Sequence, residues 1–267
     1  MKSIPTFDIE NEVIAARRIT RVSDTYLGFE PRLFIAGLDE AGRGPLCGPV
    51  VAAAVIFNRI SDTDFGFEFS PYPKSVSEIR PHLITDSKQM TPRQRERAYE
   101  WLTNNPDIIW AVAQASAAEI DEINILQASL LAMRRAVDAL ADRNGNVIRP
   151  DFVLVDGNRL PDSVQSSEFK VRDYTENRTL NSEHYNGRAV VKGDSKSISI
   201  AAASIIAKET RDKIMKNLAA EHPEYGWDRN MGYPTAEHLR AIEKYGITPH
   251  HRKSFAPIRK LVMNDEL

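Results

Sequence analysis

The sequence predicts an α/β fold, a sheet of short apolar strands flanked by helices, with helices alone toward the C-terminal end. Two observations carry this. Apolar runs of strand length at 33–38, 50–57, 108–116, 152–155 and 188–191 are interleaved with segments of helical period, the ordering that characterises mixed α/β architectures. Three of those runs also lead into acids, at Asp39-Glu40, Asp156 and Asp194, each with a glycine within a few residues. The C-terminal edge of an α/β sheet is where ligands usually bind.

Taken in order, the first 31 residues read as an extension, with a short helix over Ile9–Ile19. The run from Leu33 to Leu38 reads as a buried strand ending at Asp39. Residues 50–57 read as a second strand, and the glycine-rich turn Ala41-Gly42-Arg43-Gly44-Pro45 between them suggests an antiparallel pair. Residues 58–83 are polar and proline-containing, a surface insertion. Thr91-Pro92 starts a helix that runs to about Asn104, because a capping hydroxyl precedes a proline at the first helical position. A strand over Ile108–Ser116 follows. Ile120, Ile123, Leu126, Leu130, Met133, Val137 and Leu140 then recur at spacings of three and four, the pattern of an amphipathic helix. Phe152–Val155 is a short strand before Asp156. Residues 160–187 read as a second polar insertion, and Arg188–Val191 as a strand before Lys192-Gly193-Asp194. Ser199–Ala207 is a helix whose small side chains permit close approach to a sheet. A last helix, Thr235–Tyr245, is stopped by Gly246.

The 267 residues are 42% hydrophobic and 27% charged, an ordinary globular profile, and no apolar run reaches the roughly 20 residues a membrane span requires. The absence of a signal-like start sets the expectation of a cytoplasmic protein with no membrane partner. The lone cysteine, Cys47, reads as a buried small hydrophobe and forms no internal disulfide. The net charge is −2, but 188–260 carries 14 Lys and Arg against 8 Asp and Glu. A basic C-terminal portion is what a phosphate-tracking surface needs, although a solvated helical surface gives the same count.

The acids carry the chemistry. Carboxylates gathered at one sheet edge repel one another unless a cation neutralises them, and hard divalent cations prefer such oxygen ligands. Two such ions suit in-line phosphate displacement. Successive strand residues point to opposite faces, so Asp39 and Glu40 cannot both aim at one site from a regular strand. Either the strand has ended there, or one of the two offers only its backbone carbonyl. Asp39 and Asp194 are the central ligand candidates, with Glu40 and Asp156 completing the set. Each acid taken singly could equally cap a helix or turn. His250 and His251 read as structural.

Several segments then resemble the bacterial ribonuclease HII family, in the family's order from about Phe34 to Ile258. They are Leu38-Asp39-Glu40-Ala41-Gly42-Arg43-Gly44-Pro45-Leu46 with Gly48-Pro49-Val50-Val51, Asp86-Ser87-Lys88, Val155-Asp156-Gly157-Asn158 and Val191-Lys192-Gly193-Asp194-Ser195. Ile200-Ala201-Ala202-Ala203-Ser204-Ile205, Gly232-Tyr233-Pro234-Thr235 and His251-Arg252-Lys253-Ser254-Phe255 match as well. The resemblance implies a ribonuclease H-like fold: a central mixed sheet flanked by helices, and a C-terminal helical subdomain. On that basis 1–31 is an N-terminal extension, 32–210 the catalytic domain with insertions at about 58–83 and 160–187, and 211–267 the helical subdomain. Both insertions are longer than the family leads one to expect.

The same resemblance implies an endoribonuclease acting on RNA–DNA hybrids and on single ribonucleotides in duplex DNA. It implies cleavage on the 5′ side, with 3′-hydroxyl and 5′-phosphate ends. Asp39, Glu40, Asp156 and Asp194 match the family's four metal-binding acids, for two divalent ions, Mn²⁺ or Mg²⁺. Gly42, Arg43 and Gly44 match its loop that senses the 2′-hydroxyl, and Tyr233 the tyrosine that stacks on the following deoxyribose. Lys88, Asn124 and Lys192 are expected phosphate contacts. Nucleic acid is the expected partner, and a sliding clamp a candidate partner at the tail 261–267. A monomer is expected. A resolvase or type III ribonuclease H, and a non-catalytic duplex-binding module, are the alternatives. The Gly-Arg-Gly and Gly-Tyr-Pro-Thr motifs argue against the first two, and the four acids together argue against the third.

Overall fold

The computed structural model describes residues 4–20, 33–58, 84–166 and 184–265. Residues 21–31 of the expected extension, all but the first residue of the 58–83 insertion, and 167–183 of the second insertion lie outside the described residues. A six-stranded mixed sheet in the order β3-β2-β1-β4-β6-β5 forms the centre. Its strands are β1 (Ile35–Ala41), β2 (Val50–Phe57), β3 (Ile108–Ala115), β4 (Phe152–Asp156), β5 (Val164–Ser166) and β6 (Tyr185–Val190). β1 and β2 form the expected antiparallel pair, β3 extends it antiparallel beside β2, and β4 joins β1 in parallel on the other side.

Alternation along the strands sorts two cores. Ala36, Leu38, Val153 and Val155 face one way and pack on α3 (Ala117–Asp138) through Ile120, Ala132, Met133 and Val137. Ile35, Phe152 and Leu154 face the other way, toward Ile200 at the start of α4 (Ile198–Glu221). The helix α1 (Asp8–Thr20) joins that second layer through Val13 and Ile14. Glu10, on the same helix, is buried and accepts hydrogen bonds from the hydroxyls of Ser197 and Ser199 and from the Ser199 N–H. The stretch read as an extension thus includes part of the sheet's cover. The helix α2 (Pro92–Asn104) starts at Thr91 with a capping box to Gln94 and is tied to α4 by Arg95, which pairs with Glu209 and Asp212.

Three expectations need correction. The strand expected to end at Asp39 continues in register through both acids to Ala41, pairing Asp39 with Ala53 and Glu40 with Ala52. The helix read as continuous over Ile120–Leu140 breaks at Asn124, whose φ of 68° and ψ of 163° are not helical. The Asn124 side chain re-caps the helix by accepting from the N–H groups of Leu126 and Gln127. The segment 160–187 is not all insertion, since it contains β5 and the first residues of β6.

The C-terminal part has a core of its own. Trp227, Tyr225, Met215, Ala241, Ile242 and Ile258 pack with Leu46 and Cys47 from the β1–β2 loop. Its elements are α5 (Trp227–Asn230), α6 (Ala236–Tyr245) and α7 (Ala256–Asp265). Cys47 is buried as expected. Among the described residues no helix is long and apolar enough to cross a membrane.

One glycine sets the distance between α4 and the sheet. A Cβ built on Gly37 would lie 2.2 Å from the Ser199 carbonyl carbon and 2.4 Å from the Ile200 nitrogen. Backbone, not a flexible side chain, occupies that space, so α4 would have to shift. Gly37→Ala is expected to cost about 1–3 kcal/mol or more and to lower Tm by about 3–10 °C in thermal unfolding. An unchanged Tm would show that α4 does not depend on this contact.

Candidate active site

The register brings two of the four acids side by side. Leu38 pairs with Val155 across the parallel β1–β4 ladder, so Asp39 and Asp156 occupy neighbouring positions at the C-terminal edge. Both follow the alternation of Gly37 and Leu154 and therefore stand on the α4 face. Asp194 comes to the same place by another route. It lies in a 3-10 turn, Gly193–Ser195, between β6 and α4. The approach of α4 to Gly37 carries that turn to the strand ends. Glu40 leaves β1 from the opposite face, so the strand runs on and the two adjacent acids flank the edge from both sides.

Backbone N–H groups orient two of these carboxylates. Gly193 donates to Asp156 Oδ1 at 2.7 Å, and Glu40 donates to Asp39 Oδ1 at 2.7 Å. A Cβ on Gly193 would stand 2.6 Å from Ile200 Cδ1 and 3.2 Å from Asp156 Oδ1, so a side chain there would crowd that bond. Asp39 is pushed well above the usual carboxylate range by burial, then by the charges of Glu40 and Asp156. Glu40 is raised by burial, against the lowering pull of Arg43, whose Nη1 lies 3.3 Å from Glu40 Oε1. Asp194 is raised by burial, then by Asp156 and Asp86. This is a set of like charges kept partly out of water, with only oxygen donors. Such a set fits hard divalent cations and offers nothing to a soft one.

Lys88 is a cation set against this field. Its Nζ lies 3.8 Å from Asp194 Oδ2, and its pKa is raised by Asp39, Asp194, Asp86 and Asp156 against the lowering effect of burial. Asp86, a fifth acid in that field, stood in a matched segment without an assigned role. It caps the Ser87–Gln89 turn through the Lys88 N–H and Gln89 side chain. Lys192 is exposed, two residues before Asp194, in the left-handed conformation. Asn124 is exposed and spends its side-chain oxygen on capping α3, and among the described residues no hydrogen bond joins it to the acids.

The Gly42–Pro49 loop leaves the end of β1. Gly42 has φ of +100°, and a Cβ there would strike the Arg211 side chain. Gly44 is exposed and lies under Tyr233, whose Cε1 would be 3.3 Å from a Cβ at that position. The structure therefore brings Gly42, Arg43, Gly44 and Tyr233 together. Tyr233 is 45% exposed, so its ring is available to a ligand. Its backbone is held from below: Trp227 Nε1 donates to His238 Nε2 at 2.9 Å, which leaves His238 Nδ1 to donate to the Tyr233 carbonyl at 3.0 Å. His251 is buried, bonds Thr248 and His238, and has its pKa pushed down to about 4 by burial and then by His238. A neutral, packed imidazole supports the structural reading.

The residues that sequence reasoning missed are those that hold others in place. Gly193, Trp227 and His238 act through backbone or ring hydrogen bonds. Arg211 and Arg252 lie buried under the loop. Arg252 stood in a matched motif without a role, and Arg211, inside a helix, carried no signal at all.

The chain is similar to known proteins along most of its length. The family model described as Ribonuclease HII matches residues 36–258. Ribonuclease HII of Ruegeria pomeroyi is 42% identical over 239 residues, which cover 90% of this chain and 83% of the relative. That of Magnetococcus marinus is 44% identical, covering 85% and 87%. That of Neisseria meningitidis serogroup B is 43% identical, covering 88% and 98%. Among solved structures, ribonuclease H2 of Pyrococcus horikoshii aligns with a TM-score of 0.60 at 26% identity over 88% of this chain and 99% of that one. The fold is shared with the ribonuclease HII in a PCNA complex from Archaeoglobus fulgidus, at a TM-score of 0.55 and 24% identity over 84% and 95%.

The acid cluster has a consequence for stability. The folded pKa of Asp39 lies above its ordinary 3.8, so its favourable contribution is complete below that pH and is lost as pH rises through the folded value. At pH 7 with chelator, Asp39→Asn is expected to raise Tm by about 3 °C or more, and the gain is expected to shrink as pH falls toward the ordinary carboxylate range. A lowered Tm at pH 7 would contradict a carboxylate that burial, and then its acidic neighbours, make costly to ionise.

Proposed function

Because the chain belongs to the ribonuclease HII family, we propose that it hydrolyses the RNA strand of RNA–DNA hybrids and cuts on the 5′ side of single ribonucleotides in duplex DNA, leaving 3′-hydroxyl and 5′-phosphate ends. The observation that carries this reading is a juxtaposition. An acid cluster suited to divalent cations lies at the end of β1, and that strand runs directly into a glycine-rich loop roofed by an exposed tyrosine.

Asp39, Glu40, Asp156 and Asp194 would hold two divalent ions, Mg²⁺ or Mn²⁺. Such ions supply charge neutralisation and Lewis-acid chemistry at a scissile phosphate when bound. The chain's own groups do the rest. The Gly193 and Glu40 N–H groups fix one oxygen of Asp156 and of Asp39, which aims the other. Lys88 and Arg43, both on the acid rim, offer positive charge to the phosphates flanking the cut, with Lys192 beside them. Asn124, whose side-chain oxygen caps α3, would offer its amide N–H₂ to a phosphate.

A 2′-hydroxyl both donates and accepts, and it alone separates RNA from DNA at one position. Gly42-Arg43-Gly44 can bring backbone groups close to it, because glycine leaves no Cβ in the way. The Tyr233 ring beside Gly44 would pack on the next sugar when that sugar is a deoxyribose. Recognition of an RNA-to-DNA junction by shape, without base reading, follows from those two contacts. A sliding clamp belongs to the proposal as a partner docking at 261–267, and the clamp-bound Archaeoglobus protein is an instance of this fold with such a partner.

The test is a gel assay on a duplex with one embedded ribonucleotide, a continuous hybrid and an all-DNA control, with Mg²⁺, with Mn²⁺ and with chelator. Metal-dependent cleavage 5′ of the ribonucleotide, absent from the control, is expected. Asp194→Asn is expected to lower kcat by ~10³-fold or more without loss of fold. Tyr233→Ala is expected to lower kcat/KM on the single ribonucleotide by roughly 10–100-fold, and less on the continuous hybrid. Metal-dependent binding of the duplex without cleavage would replace an enzyme with a binding module.

A further inference from the structure

Two arginines lie beneath the Gly42–Pro49 loop, and both are buried: Arg252 is 0% and Arg211 1% exposed. All three nitrogens of Arg252 donate to loop carbonyls. Its Nη2 donates to Gly42 O at 2.6 Å, its Nη1 to Arg43 O at 3.1 Å and Pro45 O at 2.8 Å, and its Nε to Gly48 O at 3.0 Å. Arg211 donates to Pro49 O at 3.1 Å, Cys47 O at 3.2 Å and Met231 O at 3.1 Å. Among the described residues neither has a carboxylate at ion-pair distance, and the nearby Asp212 is held by Arg95 and Lys208. Two buried like charges are costly to keep, and apolar side chains would fill the same space without that cost. What apolar side chains would lack is a grip on the carbonyls.

That grip has a geometric consequence. In a trans peptide the carbonyl of one residue and the N–H of the next point in opposite directions. Pulling the Gly42 carbonyl inward turns the Arg43 N–H outward. Pulling the Arg43 carbonyl inward does the same to the Gly44 N–H. By that geometry both are directed away from the buried Arg252, and Arg43 and Gly44 are themselves exposed. The left-handed φ at Gly42 allows the chain to take this course, and Arg211 fills the volume that a Cβ there would need.

We propose that Arg252 is the positioning residue for ribose selection and Arg211 its brace: the guanidinium fork holds the Arg43 and Gly44 N–H groups in the direction of a sugar 2′-oxygen. This rests on the reading of Gly42-Arg43-Gly44 as the loop that meets the 2′-hydroxyl. Lysine in place of Arg252 keeps the charge and loses the planar fork, so it separates the two contributions.

The experiment compares wild type, Arg252→Lys and Arg211→Lys on duplexes carrying a ribonucleotide or its 2′-fluoro analogue at the scissile position, with Tm measured for each protein. Arg252→Lys is expected to reduce the preference for ribose in kcat/KM by roughly 10–100-fold, mostly through kcat, and Arg211→Lys by less. A role in stability alone would lower Tm and leave the preference of the folded fraction as in wild type, and that result overturns the proposal. If Arg252→Lys does not fold, the same comparison on Arg211→Lys decides it: an undiminished preference in a folded protein overturns the proposal. A wild type that cuts neither substrate overturns the reading of the loop itself, and this proposal with it.

Discussion

The close contact of α4 with β1 at Gly37 is the constraint from which the rest of the site follows. It is a backbone-on-backbone contact, made where a side chain is missing. Because α4 lies this near the sheet, the turn that precedes it delivers Asp194 to the ends of β1 and β4. The helix's first half is built for the approach: Ile198 to Ala207 is almost wholly buried and mostly small. Its Ser197 and Ser199 hydroxyls are satisfied by Glu10 from α1. A helix with larger residues there would stand further off, and the third acid would move away from the other two.

Charge is distributed around that contact in two opposed deposits. On one side, carboxylates are gathered, and Asp39 and Asp194 among them are raised by burial and then by acidic neighbours. On the other, Arg211 and Arg252 are buried under the loop that continues from the same strand. Burial, and then the neighbouring Arg211 charge, press the pKa of Arg252 down to about 9, which still leaves it a cation at neutral pH. The loop between the deposits is polarised by both, its carbonyls drawn to the arginines and two of its N–H groups turned outward. The acidic rim and the loop proposed to meet a sugar oxygen are therefore products of one strand end.

The C-terminal part completes the site from a distance. Its aromatic and imidazole core is a packed and hydrogen-bonded unit, in which Trp227, His238 and His251 hold one another. The output of that unit is the backbone of Tyr233. Asp121 on α3 ties the segment to that helix by accepting from the N–H groups of Lys253 and Ser254. Arg252, between His251 and those two residues, links the same segment to the β1–β2 loop. Tyr233 and the loop thus share supports, which keeps their spacing fixed.

Much of this was legible in the chain itself. Apolar runs of strand length, the helical spacing of Ile120–Leu140 and the Thr91-Pro92 start depend on neighbours in sequence, and they located the elements. The acids at the ends of apolar runs, and the matched motifs, named the residues that the fold then gathers. What sequence left open was direction and distance. Whether β1 stops at Asp39 was decided by pairing with Ala52 and Ala53, residues of another strand. The break at Asn124 and the short strand β5 depend on partners that no local pattern announces. Arg211 looked like one more charge on a helix, and Arg252 like one letter of a motif. Their roles exist only because the fold brings loop carbonyls against them. Residue type and period are properties of the chain, whereas the aim of a peptide N–H or a carboxyl oxygen is set by what packs behind it.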